Sequence, residues 1–159
     1  MALLAVDLET TGLDQFNGSI LEIAARILDK DLNVVDRFDG ILGIGDVELS
    51  QMDDYVTKMH TDNGLMYEAA TCDLADFVQW AQKHGELMLL GNSVTFDRDW
   101  LQHHCPELDI SYRVIDISSF KRLLEHAGSP TMVVESNHRA ASDIDACINH
   151  AKYFLKKLR

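Results

Sequence analysis

Near its start the chain runs Leu3-Leu4-Ala5-Val6-Asp7-Leu8-Glu9, from apolar residues into two acids spaced two apart. Such a run, broken by Thr10-Thr11-Gly12, reads as a buried strand. Strand side chains alternate, so Asp7 and Glu9 project from one face and Leu8 from the other. Two carboxylates on one face of a buried strand repel each other and are costly to desolvate unless positive charge lies between them. A divalent cation meets that need, because hard cations such as magnesium favour carboxylate oxygens. Leu13 then falls on the rim of whatever the carboxylates hold. A pair of acids at a solvent-facing strand end is the plainer reading, and what lies downstream decides between the two.

A length of 159 residues fits one domain, 1–159, with a real core. The cysteines Cys72, Cys105 and Cys147 are odd in number and in no metal-type spacing, which fits free thiols in a reducing compartment. Leu3–Val6 is too short for a signal peptide and nothing approaches membrane-spanning length, so the expectation is a cytoplasmic protein with no membrane partner. The formal charge of -12 weighs against a partner such as long duplex nucleic acid, which calls for a basic stripe. Lys156, Lys157 and Arg159 form the one basic cluster, and they end a helix, where cations suit the dipole. A short anionic substrate remains compatible, with metal ions supplying positive charge locally.

Two further apolar stretches, Ser19–Asp29 and Val34–Leu42, make an antiparallel meander with the first strand. Glu22 falls in the second of these strands without an evident partner and reads as structural or solvent-facing. Ser50 is placed to cap a short helix running to about Lys58. Met59-His60-Thr61-Asp62-Asn63-Gly64-Leu65 then reads as a loop. Leu74, Phe77, Val78 and Ala81 predict an amphipathic helix over Asp73–His84, stopped by Gly85. Glu86–Leu90 is a short strand leading through Gly91-Asn92-Ser93 into a helix that carries Asp97 early. Tyr112–Asp116 into Ile117–His126 repeats the step, so these strands are parallel with helical crossovers. The last helix keeps Ile144, Cys147, Ile148, Ala151, Leu155 and Leu158 on one face. His103, His104 and Cys105 are too closely spaced for tetrahedral zinc and read as a helix end.

Acidic residues thus stand at three junctions of loop with strand or helix: Asp7 with Glu9, Asp97, and Asp143. On one continuous helix His138 and Asp143 would be about 140° apart, so His138 belongs to the loop before the helix. Four carboxylates can hold two divalent ions roughly 3.5–4 Å apart, which clamp the attacking water and the leaving oxygen of a phosphodiester. An imidazole with an ordinary pKa near ~6.5 can take the water's proton.

The segments DLETTGLD at 7–14, GNSVTFDRDWL at 91–101 and HRAASDI at 138–144 resemble the three motifs of the DEDDh 3′-to-5′ exonucleases. The resemblance implies an α/β, ribonuclease H-like fold, a mixed five-stranded sheet with flanking helices. It implies two divalent cations, Mg2+ or Mn2+, on Asp7, Glu9, Asp97 and Asp143, with His138 as general base. Within the family, MHTDNGL at 59–65, GNS at 91–93 and YRVIDISSFKRL at 112–123 are most similar to the oligoribonuclease branch. That likeness implies hydrolysis of dinucleotides and very short RNA oligonucleotides to 5′-mononucleotides. It makes Leu13 a wedge between bases and His60, Ser93, Arg113 and Ser118 a cap on the 5′-phosphate. Tyr112 would stack on a base across a homodimer. An arginine with hydroxyls suits a phosphate, and an aromatic face suits any base. Thr10 stands where the branch often has methionine, and Ala141 where leucine is frequent. Leu65–Gly91 and Gly128–His138 are compact for the branch, which would widen the pocket. The alternatives are a general single-strand 3′-to-5′ exonuclease that proofreads or trims DNA or RNA, and a non-catalytic anion-binding module.

Overall fold

Leu4, Val6 and Leu8 leave one face of the first strand and Ala5 the other, and the two faces are buried against different helices. The computed structural model describes residues 1–131 and 135–158. Its strands are β1 (Ala2–Thr10), β2 (Ile20–Leu28), β3 (Val34–Ile41), β4 (Leu87–Gly91) and β5 (Ile110–Asp116), ordered β3-β2-β1-β4-β5 in one sheet. β1, β2 and β3 pair antiparallel, whereas β4 is parallel to β1 and β5 to β4. The meander and the parallel pair are as the sequence pattern predicts, with β1 at the centre.

The helices are α1 (Asp46–Gln51), α2 (Asp54–Asp62), α3 (Leu74–Gln82), α4 (Thr95–His104), α5 (Ile117–His126) and α6 (Ala140–Leu158), with a short 3-10 turn at Leu65–Tyr67. Phe77 and Ala81 of α3 and Trp100 and Leu101 of α4 cover the Leu4–Val6–Leu8 face. Ile117 of α5 and Ile144, Cys147 and Ile148 of α6 cover the Ala5 face. β2 is buried at every position. Its uneven alternation follows, because a strand covered on both faces needs apolar residues on both. Gly91 ends β4 where a Cβ would lie 2.9 Å from both the Val6 carbonyl oxygen and Val94 Cγ2. A side chain there would push the end of β4 away from the middle of β1 and from the start of α4.

Three local expectations are corrected. Ser50 lies inside α1, and the next helix is capped by Asp53, whose side chain accepts from the Val56 amide. That helix, α2, continues through Met59–Asp62, which the sequence pattern assigned to a loop, because His60 on its inner side is fully buried. The break comes only at Asn63-Gly64, where Gly64 takes φ 86°. At the other end of the chain, Phe154 completes the buried stripe of α6, while Leu158 is exposed.

Candidate active site

Side-chain alternation puts Asp7 and Glu9 on the same side of β1 as Ala5, facing α6. Asp143 lies in the first turn of that helix. One ligand atom each from Glu9, His138 and Asp143 fall within 4.8 Å of one another. Asp97 arrives from the first turn of α4, immediately after β4. Because β4 runs parallel to β1, the carboxyl ends of the two strands point to the same edge, the usual ligand-binding edge of such sheets. Asp97 Oδ1 there accepts from the Leu8 amide at 3.0 Å. Asp7, Glu9, Asn92, Lys121, His138 and Asp143 are among the residues lining a cavity of about 270 Å³.

Burial, then repulsion from Asp143 and Glu22, pushes the Asp7 carboxyl up to about 7. Burial, then Asp7, Glu22, Asp143 and Asp97, pushes Glu9 up to about 9. Asp97 is raised well above the usual carboxylate range, by burial and then by Asp7. Closely set carboxylates that resist ionisation on their own are a donor set suited to hard divalent cations, whose charge removes that resistance. Asp143 accepts from Ser136 Oγ at 2.5 Å and from the Asn137 amide at 3.3 Å. His138 is exposed and precedes the helix, as its spacing from Asp143 requires. Its φ of 55° is a left-handed conformation that residues other than glycine rarely adopt.

Glu22 is neither solvent-facing nor alone. It sits directly across from Glu9 in the β1–β2 pairing and is 6% exposed. The Arg139 guanidinium reaches it at 3.1 Å through Nη2 and at 3.2 Å through Nε, and the Ala140 amide donates to it at 3.1 Å. The same guanidinium pairs with Glu68 at 2.6 Å. Sequence alone carries no signal for this, since the register that sets Glu22 against Glu9 is a property of the folded sheet.

The residues expected to hold substrate fall into separate groups. Leu13 projects beyond the end of β1 and is 86% exposed. Ser93 and Ser118 meet, with their hydroxyl oxygens 3.3 Å apart, at the starts of α4 and α5. Asp116, which sequence reading passed over, organises them by accepting from the Ser93 amide at 2.9 Å and the Ser118 hydroxyl at 2.6 Å. Tyr112 and Arg113 lie exposed on the edge strand β5, the guanidinium 5.0 Å from the centre of the Tyr112 ring. His60 is fully buried, and its Nε2 lies 3.0 Å from the Thr10 carbonyl oxygen. It therefore buttresses the loop that follows Glu9, and burial holds its pKa below the usual histidine value.

Residues 4–150 match the exonuclease (RNase_T) family model. An oligoribonuclease of Francisella tularensis is 33% identical, over 98% of this chain and 95% of its own length. An oligoribonuclease of Mycobacterium bovis is 35% identical, over 96% of this chain and 79% of its own. Among solved structures, E. coli exonuclease I in complex with a dT13 oligonucleotide matches with a TM-score of 0.68 at 16% identity. That match covers 96% of this chain, which spans 40% of the exonuclease I chain. The likeness bears on the fold, which is ribonuclease H-like.

Proposed function

We propose, for a chain that belongs to the exonuclease family, that it hydrolyses dinucleotides and very short RNA oligonucleotides from their 3′ ends to 5′-mononucleotides. The observation that carries this reading is the meeting of Glu9, Asp143 and His138 within 4.8 Å at the end of the central strand. Asp7, Glu9, Asp97 and Asp143 would hold two divalent cations, Mg2+ or Mn2+. Bound there, the cations supply Lewis-acid stabilisation of charge on the phosphoryl and leaving oxygens. His138, exposed at the cleft, takes the proton of the attacking water. Asp97 is fixed to the Leu8 amide, and Asp143 is held by Ser136 and Asn137.

Leu13 wedges between the bases, and its exposure leaves it free to do so. Ser93, Ser118 and Arg113 close on the 5′-phosphate. The hydroxyls are already gathered at Asp116, and the arginine lies exposed over the face of Tyr112 on β5. His60, which the resemblance groups with this cap, is instead fully buried and supports Thr10 at the end of β1. Tyr112, 75% exposed on an edge strand, stacks on a base of substrate held by a second copy of the chain in a homodimer. Closure on the phosphate would set the length limit and spare an acidic protein a basic groove. Residues 1–159 would form one catalytic domain working in the cytoplasm. The free cysteines agree with a reducing compartment, and no helix among the described residues is long and apolar enough to cross a membrane.

The test is a time course on a 5′-labelled dinucleotide and a twenty-mer, with magnesium or manganese and then with chelator. Rapid, cation-dependent use of the dinucleotide alone supports the proposal. Processive shortening of the twenty-mer, strongly weakened by salt, would instead mark a general single-strand exonuclease.

A further inference from the structure

We infer that Arg139 and Asn63 are positioning residues for His138, forming a latch that ties the loop carrying the imidazole to β2, α2 and the 3-10 turn. This rests on the proposed role of His138 as the base. A non-glycine residue held at φ 55° needs its surroundings to over-determine it. The surroundings here are specific. Asn63 Nδ2 donates to the His138 carbonyl at 2.6 Å, while Asn63 Oδ1 accepts from the Leu65 amide at 2.9 Å, so the side chain is locked at both ends. On the amino side, the His138 amide donates to Ser136 Oγ at 3.1 Å. One residue on, the Arg139 fork spans Glu22 on β2 and Glu68 at the end of the 3-10 turn. The loop is thus held by contacts to segments more than seventy residues away in sequence.

The same face of β2 offers a second anchor of opposite polarity. Arg26, four residues beyond Glu22, is 2% exposed and pairs with Asp145 of α6 at 3.2 Å and with Asp39 of β3 at 2.7 Å. An acid on β2 therefore meets a base at the start of α6, and a base on β2 meets an acid farther along it. A slip of α6 along β2 would bring like charges together. Asp143 lies between the two anchors, so the pairs hold its axial position while the latch orients His138. Small displacements of a reacting group have large effects on rate, which is why rigid support of this kind matters to turnover.

Asn63→Asp is the cleanest test. It retains the acceptor for the Leu65 amide and removes the donor to His138. With cation saturating and a 5′-labelled diribonucleotide as substrate, kcat should fall by roughly ten- to a hundredfold with KM within about threefold. Arg139→Lys keeps charge beside Glu22 but lacks the fork that spans both acids, and should lose kcat in the same way while melting cooperatively. On a His138→Ala background, Asn63→Asp should add less than about twofold, because both act through one group. Unaltered kcat in Asn63→Asp, or a full additional loss on the His138→Ala background, would overturn the latch. If His138→Ala by itself keeps full turnover, the base assignment fails and the latch with it, a result separable from the other two.

Discussion

Glu9→Gln keeps the size of a buried side chain and deletes a charge that the folded protein resists. Glu9 is 7% exposed and faces Glu22 across the β1–β2 pair. Burial and its acidic neighbours lift its pKa from 4.5 to about 9. The sign of the effect on stability follows from proton binding. Below the unfolded value both states hold the proton and nothing is lost. As pH rises the unfolded chain ionises first, the folded chain keeps its proton, and stability declines until pH passes the folded value. Each unit of pH between those limits costs about 1.4 kcal/mol, so from about pH 5 to about pH 8 the parent loses on the order of 4 kcal/mol that the Glu9→Gln variant does not.

The assay is urea denaturation in chelator at several pH values, followed by circular dichroism. The gap in unfolding free energy between Glu9→Gln and parent should be small near pH 5 and should widen in favour of the variant toward pH 8. Saturating manganese should narrow it, because the parent keeps the full ligand set and gains the linkage term, about 2.7 kcal/mol at a hundredfold excess over Kd. The variant should be inactive throughout. Parallel pH–stability curves in chelator would refute the reasoning, since they would mean that the folded environment does not oppose ionisation of Glu9.

Cation binding should itself depend on pH. Asp7 sits at about 7 and must lose its proton to serve as a ligand, so manganese affinity should weaken roughly tenfold per pH unit for each proton displaced as pH falls below that value, as calorimetry would show. Asp143→Ala should abolish turnover while leaving a cooperative melt, because it removes a cleft carboxylate and no core contact; wild-type-like rates would refute its role as a ligand. His138→Ala should lower kcat by roughly two to four powers of ten with substrate affinity mostly retained, measured under single-turnover conditions. Arg113→Ala should raise KM for a 5′-phosphorylated dinucleotide far more than for longer oligomers, and equal losses would remove the reason to prefer short substrates.

What the sequence by itself determined follows from local chain geometry. The two-residue spacing of Asp7 and Glu9 puts them on one face of a strand wherever that strand lies. The five-residue separation of His138 and Asp143 sets the histidine in the loop ahead of α6, and the helical spacing of Phe77 and Ala81 marks a buried face before any partner is known. The tertiary structure alone decided what those groups meet. Glu22 has no local partner; it became part of the site when the β1–β2 register set it opposite Glu9 and when Arg139, 117 residues later, folded onto it. His60 reads as a loop residue until α2 turns it inward to the Thr10 carbonyl, fifty residues back. Spacing along a chain fixes direction, but charge compensation and burial depend on neighbours that only long-range packing supplies.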